Sequence, residues 1–336
     1  MAKAGYIFKR ITRMNYRGLF KTVSRLHKKT GKGRLWLFRD IIRCGLRHGC
    51  GYIDYRLCAF YDLTDEQRAT YVTQGINNQI VRKLNDPAYY ETVESKIKFN
   101  HFFADFLGRD WLDFTAASYE DFEDFMKDRD FIITKPLDAT HGDGIHKLAR
   151  ADFANLQEMY GHIKTLKAAL LEEYLVQHPN LAAIYPDSVN CVRIVTILKD
   201  GIVHPVYSFI NFGNGGRVVS NLDSGGMAAP VDLATGTIAY GAYDKEENYY
   251  INHPATGVPI MGAQIPHWEA CMALCGKTAP MIPELKYLGW DIAILQDGIA
   301  LIEANHFPGY DYLQMPPHTP DKIGMLPHFR EFVDGI

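Results

Sequence analysis

The chain has 336 residues, 47% of them apolar, enough to bury a substantial core without disulfide or metal staples. Net charge is only −3, yet the first 50 residues carry 14 Lys and Arg against the single acid Asp40, so they hold +13 and the remainder −16. There is no apolar run long enough to span a bilayer and no signal-peptide core behind the basic N-terminus; with six scattered cysteines read as reduced thiols, this argues against a secreted disulfide scaffold and for the cytoplasm.

Between Tyr6 and Phe38 the basic residues interleave with Ile7, Ile11, Met14, Leu19, Val23, Leu26, Leu35 and Leu37, a spacing that predicts basic amphipathic helices. Such a segment can lie peripherally on anionic membrane lipid or on an acidic partner; equally, it can pack its apolar side on the rest of the protein and leave a solvated basic face. Nucleic acid is disfavoured as a partner, because there is no zinc-finger spacing, no aromatic RNA-binding signature, and the body is acidic. An aromatic stretch with Tyr52, Tyr55, Phe60 and Tyr61 reads as packing. Thr64 then caps a helix expected over 65–80, apart from Gly75. Helical spacing recurs over 94–106 and 119–126. The strand FIITKP at 131–136, a glycine-containing loop, a helix from 152 to 166 and the strand ALLEEYL at 169–175 follow. Beyond this the chain turns to β. CVRIVTIL and IVHPVYSFI are joined by Lys199-Asp200-Gly201, and IAI and IALIEAN by Gln296-Asp297-Gly298, two Asp-Gly hairpin signals. Between the hairpins Pro266 opens a helix carrying Trp268, Cys271, Met272 and Cys275. The fold class is α+β, with a strand-dominated C-terminal lobe.

Three stretches carry chemistry. In GWDIAILQDGIALIEANHFPG, at 289–309, the hairpin sets Asp291 on one strand and Glu303 with Asn305 on its neighbour. Residues two apart in a strand point the same way, so three oxygen-bearing side chains converge. Hard oxygen ligands of this kind suit magnesium, which takes one or two carboxylates while phosphate oxygens complete its shell. The bland reading is a solvated edge hairpin, and the apolar flanks of Glu303 argue against it. In ITKPLDATHGDGIHKL, at 133–148, Lys135 ends a strand before a loop with Gly142 and Gly144, which can cradle phosphate on backbone N–H groups. In ALLEEYLVQHP, at 169–179, the backbone near Glu172 and Leu175 can pair with a purine edge. Alone, the last two read better as an ordinary glycine turn and a buried strand leading to a turn.

Taken in order, a lysine strand with a glycine loop, an apolar strand ending Glu-Glu-x-Leu, an arginine in a strand, and Asp…Glu-x-Asn resemble the ATP-grasp superfamily of carboxylate-amine ligases, over roughly residues 94–310. NCVRIVTIL, NLDSGGMAAPVDLATG and GWDIAIL…IEANHFPG look more narrowly like the sugar-transfer-associated ATP-grasp proteins. The resemblance implies an ATP-grasp fold of two α+β lobes gripping ATP, with a basic helical region over 1–93, a first lobe over 94–175 and a second over 176–336 bearing the metal site. It implies ATP and two magnesium ions as cofactors. Lys135 would bind the α- and β-phosphates, and Lys96, or alternatively Lys98, would match an earlier nucleotide-binding lysine. His141, Gly142, Asp143 and Gly144 would form the flap over the phosphates; Glu172, Glu173, Tyr174 and Leu175 would be the adenine linker. Asp291, Glu303 and Asn305 would hold the metals. Arg193 matches an arginine facing the γ-phosphate, and Arg217 with Asn221 resembles a motif of glutamate-adding ligases. Where many members place an acid for the ribose, this chain has Gln177, His178 and Pro179, so Gln177 or His178 would substitute. His306 and Asp311, just beyond the metal strand, are positioned to reach substrate.

The function implied is an ATP- and magnesium-dependent carboxylate-amine ligase acting through an acylphosphate, which would join an amino acid to a polysaccharide or sugar precursor; its partners would be a small or sugar-linked carboxylate and an amine. A small-molecule or sugar phosphotransferase on the same fold is the alternative, and a catalytically silent nucleotide-bound scaffold a third reading.

Overall fold

The computed structural model describes residues 15–137, 144–215 and 225–336. The chain divides into two compact units, residues 1–83 with 309–336, and residues 84–308.

In the first unit α1 (Tyr16–Thr30) and α2 (Arg34–His48) pack together. Asn15 caps α1 by accepting the Gly18 N–H at 2.9 Å, and Gly31, at φ 72°, closes it in the left-handed region where a side chain would be strained. Leu19, Val23 and Leu26 meet Leu37, Ile41, Cys44, Tyr55 and Phe60 in one cluster. Within it Asp40 is held by Arg68 at 2.6 Å and by the Tyr55 hydroxyl at 2.7 Å. The helix expected over 65–80 is broken: a short turn at Asp65–Arg68 is followed by α3 (Gln74–Leu84). Tyr71 and Val72 are drawn into the interior between them, and the Val72 N–H donates to Gln314 Oε1 at 2.8 Å. Gly75 inside α3 allows close contact with the preceding chain, since a Cβ there would stand 2.8 Å from the Gly49 Cα. Residues 309–336 cluster here rather than with the second lobe expected over 176–336, through Gln314 and through the Tyr310 hydroxyl, which donates to Asp54 Oδ1 at 2.9 Å.

The second unit begins with short helices including α4 (Lys96–Phe102). Strand β1 (Trp111–Asp113), helix α5 (Tyr119–Met126), strands β2 (Phe131–Pro136) and β3 (His146–Ala149), helix α6 (Leu156–Thr165) and strand β4 (Ala168–Glu173) follow. Helix α6 starts later than the sequence suggests, because Asn155 accepts the Glu158 N–H at 2.9 Å and fixes the first turn there. These strands form an antiparallel sheet in the order β1-β4-β2-β3. Alternation does the rest. Ile132 and Leu171 face Phe122 and Met126 of α5 and Met159 and Ile163 of α6. Ile133, Lys135 and Glu172 fall on the opposite face.

The remaining strands are β5 (Val192–Lys199), β6 (Ile202–Phe212), β7 (Met227–Val231), β8 (Ala242–Asp244), β9 (Tyr249–Tyr250), β10 (Tyr287–Leu295) and β11 (Gly298–Asn305), with α7 (Trp268–Thr278) between β9 and β10. They form a seven-stranded sheet in the order β11-β10-β5-β6-β7-β8-β9. Both predicted hairpins form, and Asp200 and Gly201 take φ of 52° and 77° at the β5–β6 turn. Val192, Ile194, Ile210, Trp290 and Ile292 join Cys271, Leu274 and Cys275 of α7 in the core, which leaves Arg193 and Asp291 on the other face. All six cysteines are free thiols.

Candidate nucleotide and metal site

The seven-stranded sheet builds one charge cluster by register. Arg193 on β5 lies opposite Asp291 on β10, and Asp291 lies opposite Glu303 on β11, so the three project in one row across adjacent strands. A β-bulge just after Asp291 puts one additional residue on β11, and Asn305 follows Glu303 on the same face. Arg193 grips Asp291 through both Nε and Nη2, and its Nη2 stands 3.7 Å from Glu303 Oε1. Asn305 donates from Nδ2 to Glu303 Oε1 at 3.2 Å. Burial, with the neighbouring Glu303 adding to it, pushes the Asp291 carboxyl up to about 6 against the pull of Arg193. Glu303 keeps 49% of its side chain exposed; what desolvation it suffers opposes ionisation, but Arg193 and the hydrogen bonds from Asp291 and Asn305 outweigh it and hold its carboxyl below the ordinary value.

The four-stranded sheet builds a second cluster. Lys135 Nζ stands 2.6 Å from Glu172 Oε2, and Arg109 Nη2 stands 2.9 Å from Glu172 Oε1, with all three side chains largely or wholly buried. Burial alone would raise the Glu172 carboxyl, and the two cations overturn it and bring it down to about 2. Sequence reasoning missed Arg109. Its signal was indirect: an acid inside the apolar strand ALLEE demands a buried cation, and Arg109 is the second one supplied. Arg109 also donates to the Leu301 and Ile302 carbonyls of β11, the strand that carries Glu303. Gly108, beside it, allows this approach, since a Cβ there would lie 2.5 Å from the Ile299 carbonyl oxygen.

Through Arg109 the two clusters are tied into one site. The Lys135 charge reaches Glu303 and helps to lower its carboxyl. The Cys191 thiol, one residue before β5, feels Asp291, Glu303, Lys135 and Arg193 together, although burial is what chiefly pushes it up to about 12. The Lys135 charge therefore lies within electrostatic reach of the row formed by Arg193, Asp291 and Glu303.

The family model described as sugar-transfer associated ATP-grasp matches residues 75–319. The chain belongs to this family. No curated protein matches it. Among solved structures, the ATP-grasp ligase PsnB, complexed with a phosphomimetic variant of its minimal precursor, Mg and ADP, is 16% identical with a TM-score of 0.39, over 68% of this chain and 53% of that one. D-alanyl-alanine synthetase A from Vibrio cholerae is 13% identical with a TM-score of 0.41, over 74% of this chain and 62% of that one. D-cycloserine synthetase DcsG is 10% identical with a TM-score of 0.44, over 83% of this chain and 93% of that one. The chain spans about half the length of the PsnB ligase.

Among the other positions singled out for an ATP-grasp chain, Lys96 opens α4 behind its Ser95 cap, whereas Lys98 pairs with Glu91 at 2.7 Å. Glu173 turns its carboxylate to the Asp110 N–H at 3.1 Å. Tyr174 lies beside Phe131, and the Lys147 Nζ stands 3.7 Å from its ring centroid. Leu175 is half-buried just beyond β4. Gln177 cannot serve a ribose as its sequence position suggested: Nε2 donates to the Tyr185 and Ser188 carbonyls at 2.8 and 2.7 Å, and Oε1 accepts from Asn190. His178 accepts the Asn180 N–H through Nδ1 at 3.1 Å. Gly144 takes φ +72° against Pro136. His141, Gly142, Asp143, Arg217 and Asn221 lie outside the described residues. His306 stacks on Tyr90 at 3.8 Å and meets Glu94 Oε1 at 2.8 Å; Asp311 belongs to the first unit.

The donor set fits magnesium. Two carboxylates and an amide oxygen are hard ligands, and with its Nδ2 turned to Glu303, Asn305 keeps its Oδ1 for a cation. The Arg193 grip on Asp291 would have to be shared with it.

Proposed function

We propose that this chain is an ATP- and magnesium-dependent carboxylate-amine ligase that acts through an acylphosphate and joins an amino acid to a sugar-linked or polysaccharide-precursor carboxylate. The observation that carries this reading is a pair of clusters of opposite surplus charge linked by Arg109, which bonds both Glu172 and the backbone of the strand that carries Glu303: two cations on one carboxylate at Lys135, Arg109 and Glu172, and two carboxylates on one cation at Asp291, Glu303 and Arg193. The first surplus suits phosphate oxygens and the second suits a divalent cation. The family's association with sugar transfer supports the substrate class.

In this reading Lys135 neutralises the α- and β-phosphates, oriented by its ion pair with Glu172. Arg193, whose Nε and Nη2 hold Asp291, turns its remaining guanidinium N–H groups to the γ-phosphate and to the acylphosphate formed, with ADP leaving, when the substrate carboxylate attacks the γ-phosphorus. Asp291, Glu303 and Asn305 would hold two magnesium ions, which would supply charge neutralisation at the phosphates. An amine then displaces phosphate from the acyl carbon. Arg217 with Asn221 contributes to the substrate side, the residues from Glu172 to Leu175 take the adenine through their backbone, and the segment from His141 to Gly144 covers the phosphates. Lys96 is the second nucleotide lysine.

The test is phosphate release from ATP with candidate uronic-acid sugars, with and without amino acids. A ligase releases phosphate in proportion to amide formed and only when both substrates are present. A stable phosphorylated sugar, made without amine, would replace the ligase with a phosphotransferase.

A further inference from the structure

The site in the second unit leaves the basic N-terminal helices unexplained, and their surface has a chemistry of its own. Helix α1 buries Leu19, Thr22, Val23 and Leu26, and the helical period then puts Arg17, Lys21 and Lys28 on the opposite, exposed side. Helix α2 buries Leu37, Asp40, Ile41 and Cys44, and its opposite side carries not charge alone but Leu35 and Leu46, 61% and 57% exposed, with Arg39 exposed beside them and half-buried Ile42 between. The two outer faces are joined by Phe20 of α1, 57% exposed, which stacks on Phe38 of α2 with centroids 6.0 Å apart. The result is one surface with a cationic strip along α1 and an apolar strip along α2.

Among the described residues, neither helix places an acid on this surface. From residue 15 to residue 50 the one acid is Asp40, and it is turned inward onto Arg68 and Tyr55. Asp62 and Asp65 pair with Lys32, Arg43 and Arg47, and among the described residues no ion pair is made by Arg17, Lys21, Lys28 or Arg39, so charge complementarity calls for an anionic partner and disfavours a second copy of the same face. The exposed apolar side chains decide between anionic partners. A nucleic-acid backbone offers Phe20, Leu35 and Leu46 nothing, whereas the boundary between headgroups and acyl chains takes apolar side chains while the neighbouring cations meet lipid phosphates and carboxylates. No helix among the described residues is long and apolar enough to cross a membrane, so contact through this face would be peripheral.

We infer that the outer face of α1 and α2 is a docking surface for anionic membrane lipid. This goes beyond the ligase reading and does not depend on it.

The full chain is sedimented with vesicles of phosphatidylcholine alone and of phosphatidylcholine mixed with phosphatidylserine, at low and high salt. Binding to the mixed vesicles only, weakened by salt, is the expected result. The triple variant Arg17→Glu, Lys21→Glu, Lys28→Glu should lose at least about 100-fold in partitioning, at roughly fivefold per cation near an anionic leaflet. The double variant Leu35→Ser, Leu46→Ser keeps every charge and should still lose about tenfold, because it removes inserted apolar surface. All five positions face solvent, so both variants should melt with wild-type cooperativity and keep wild-type ATP turnover in the absence of vesicles. Absence of binding to the mixed vesicles, or equal binding to neutral ones, overturns the inference. It is also overturned if the serine variant binds as the wild type does, particularly if double-stranded RNA binds as tightly as the vesicles, for then the face is a general polyanion site.

Discussion

The two sheets of the second unit solve one folding problem in the same way and a chemical problem in opposite ways. Each buries one face against helices, α5 and α6 in the first and α7 in the second, and each leaves its other face to a cluster of three charged side chains. In the four-stranded sheet two cations share Glu172, which drives its carboxyl down to about 2. In the seven-stranded sheet Asp291 and Glu303 share Arg193, and the Asp291 carboxyl rises to about 6. Burial opposes ionisation in both, so the sign of the surplus decides the outcome. In the proposed function the positive surplus is the one that meets phosphate, and the negative surplus the one that meets a divalent ion.

The comparison breaks most directly at the negative cluster. Asp291→Ala or Glu303→Ala should lower ATP turnover by at least about 1000-fold, measured as phosphate release, with the melting temperature of the metal-free protein little changed. Turnover near wild type would remove the metal assignment. At the positive cluster the larger effect is on stability. Glu172→Gln leaves Lys135 and Arg109 buried without a counter-charge and should cost about 3–5 kcal/mol in denaturant unfolding. Loss of less than about 1 kcal/mol would show the cations relaxing to solvent.

Titration sharpens the contrast. The Glu172 carboxyl lies below its ordinary value of 4.5 in the folded state, so its contribution is complete above that pH and lost as pH falls towards about 2. That loss should be on the order of 3 kcal/mol, and Glu172→Gln should abolish it. Asp291 behaves in the reverse sense. Its carboxyl is raised from 3.8 to about 6, so the stability it contributes is present below its ordinary value and lost as pH rises through about 6. Magnesium-dependent nucleotide binding, which needs the ionised form, should strengthen over the same rise, and calorimetric titration would check it. The smallest effect should come from Arg193→Lys, which keeps the charge but loses the two-pronged grip on Asp291. About a tenfold fall in turnover is expected.

Much of the fold was legible because local chemistry fixed it. The strand at Phe131–Pro136 and the helix at Tyr119–Met126 form with the predicted bounds, since period-two and period-3.6 patterns need no distant partner to be read. Both Asp-Gly hairpins form for the same reason. The helix expected over 65–80 failed because Gln314, far along the chain, takes the Val72 backbone. The shared face of Asp291, Glu303 and Asn305 was readable from a hairpin and a spacing of two. Gln177 was misread because its partners, Tyr185, Ser188 and Asn190, are supplied by a fold-back that no spacing announces.

The sequence by itself determined which residues face which side of each strand and helix, and with them the lysine strand, the row of oxygen-bearing side chains and the basic N-terminal helices. These follow from side-chain periodicity and turn chemistry over a few residues. Only the tertiary structure decided how the charges are counted. Arg109 reaches Glu172 across 63 positions and Arg193 reaches Asp291 across 98, and the energy of a buried charge depends on the neighbours the fold places around it.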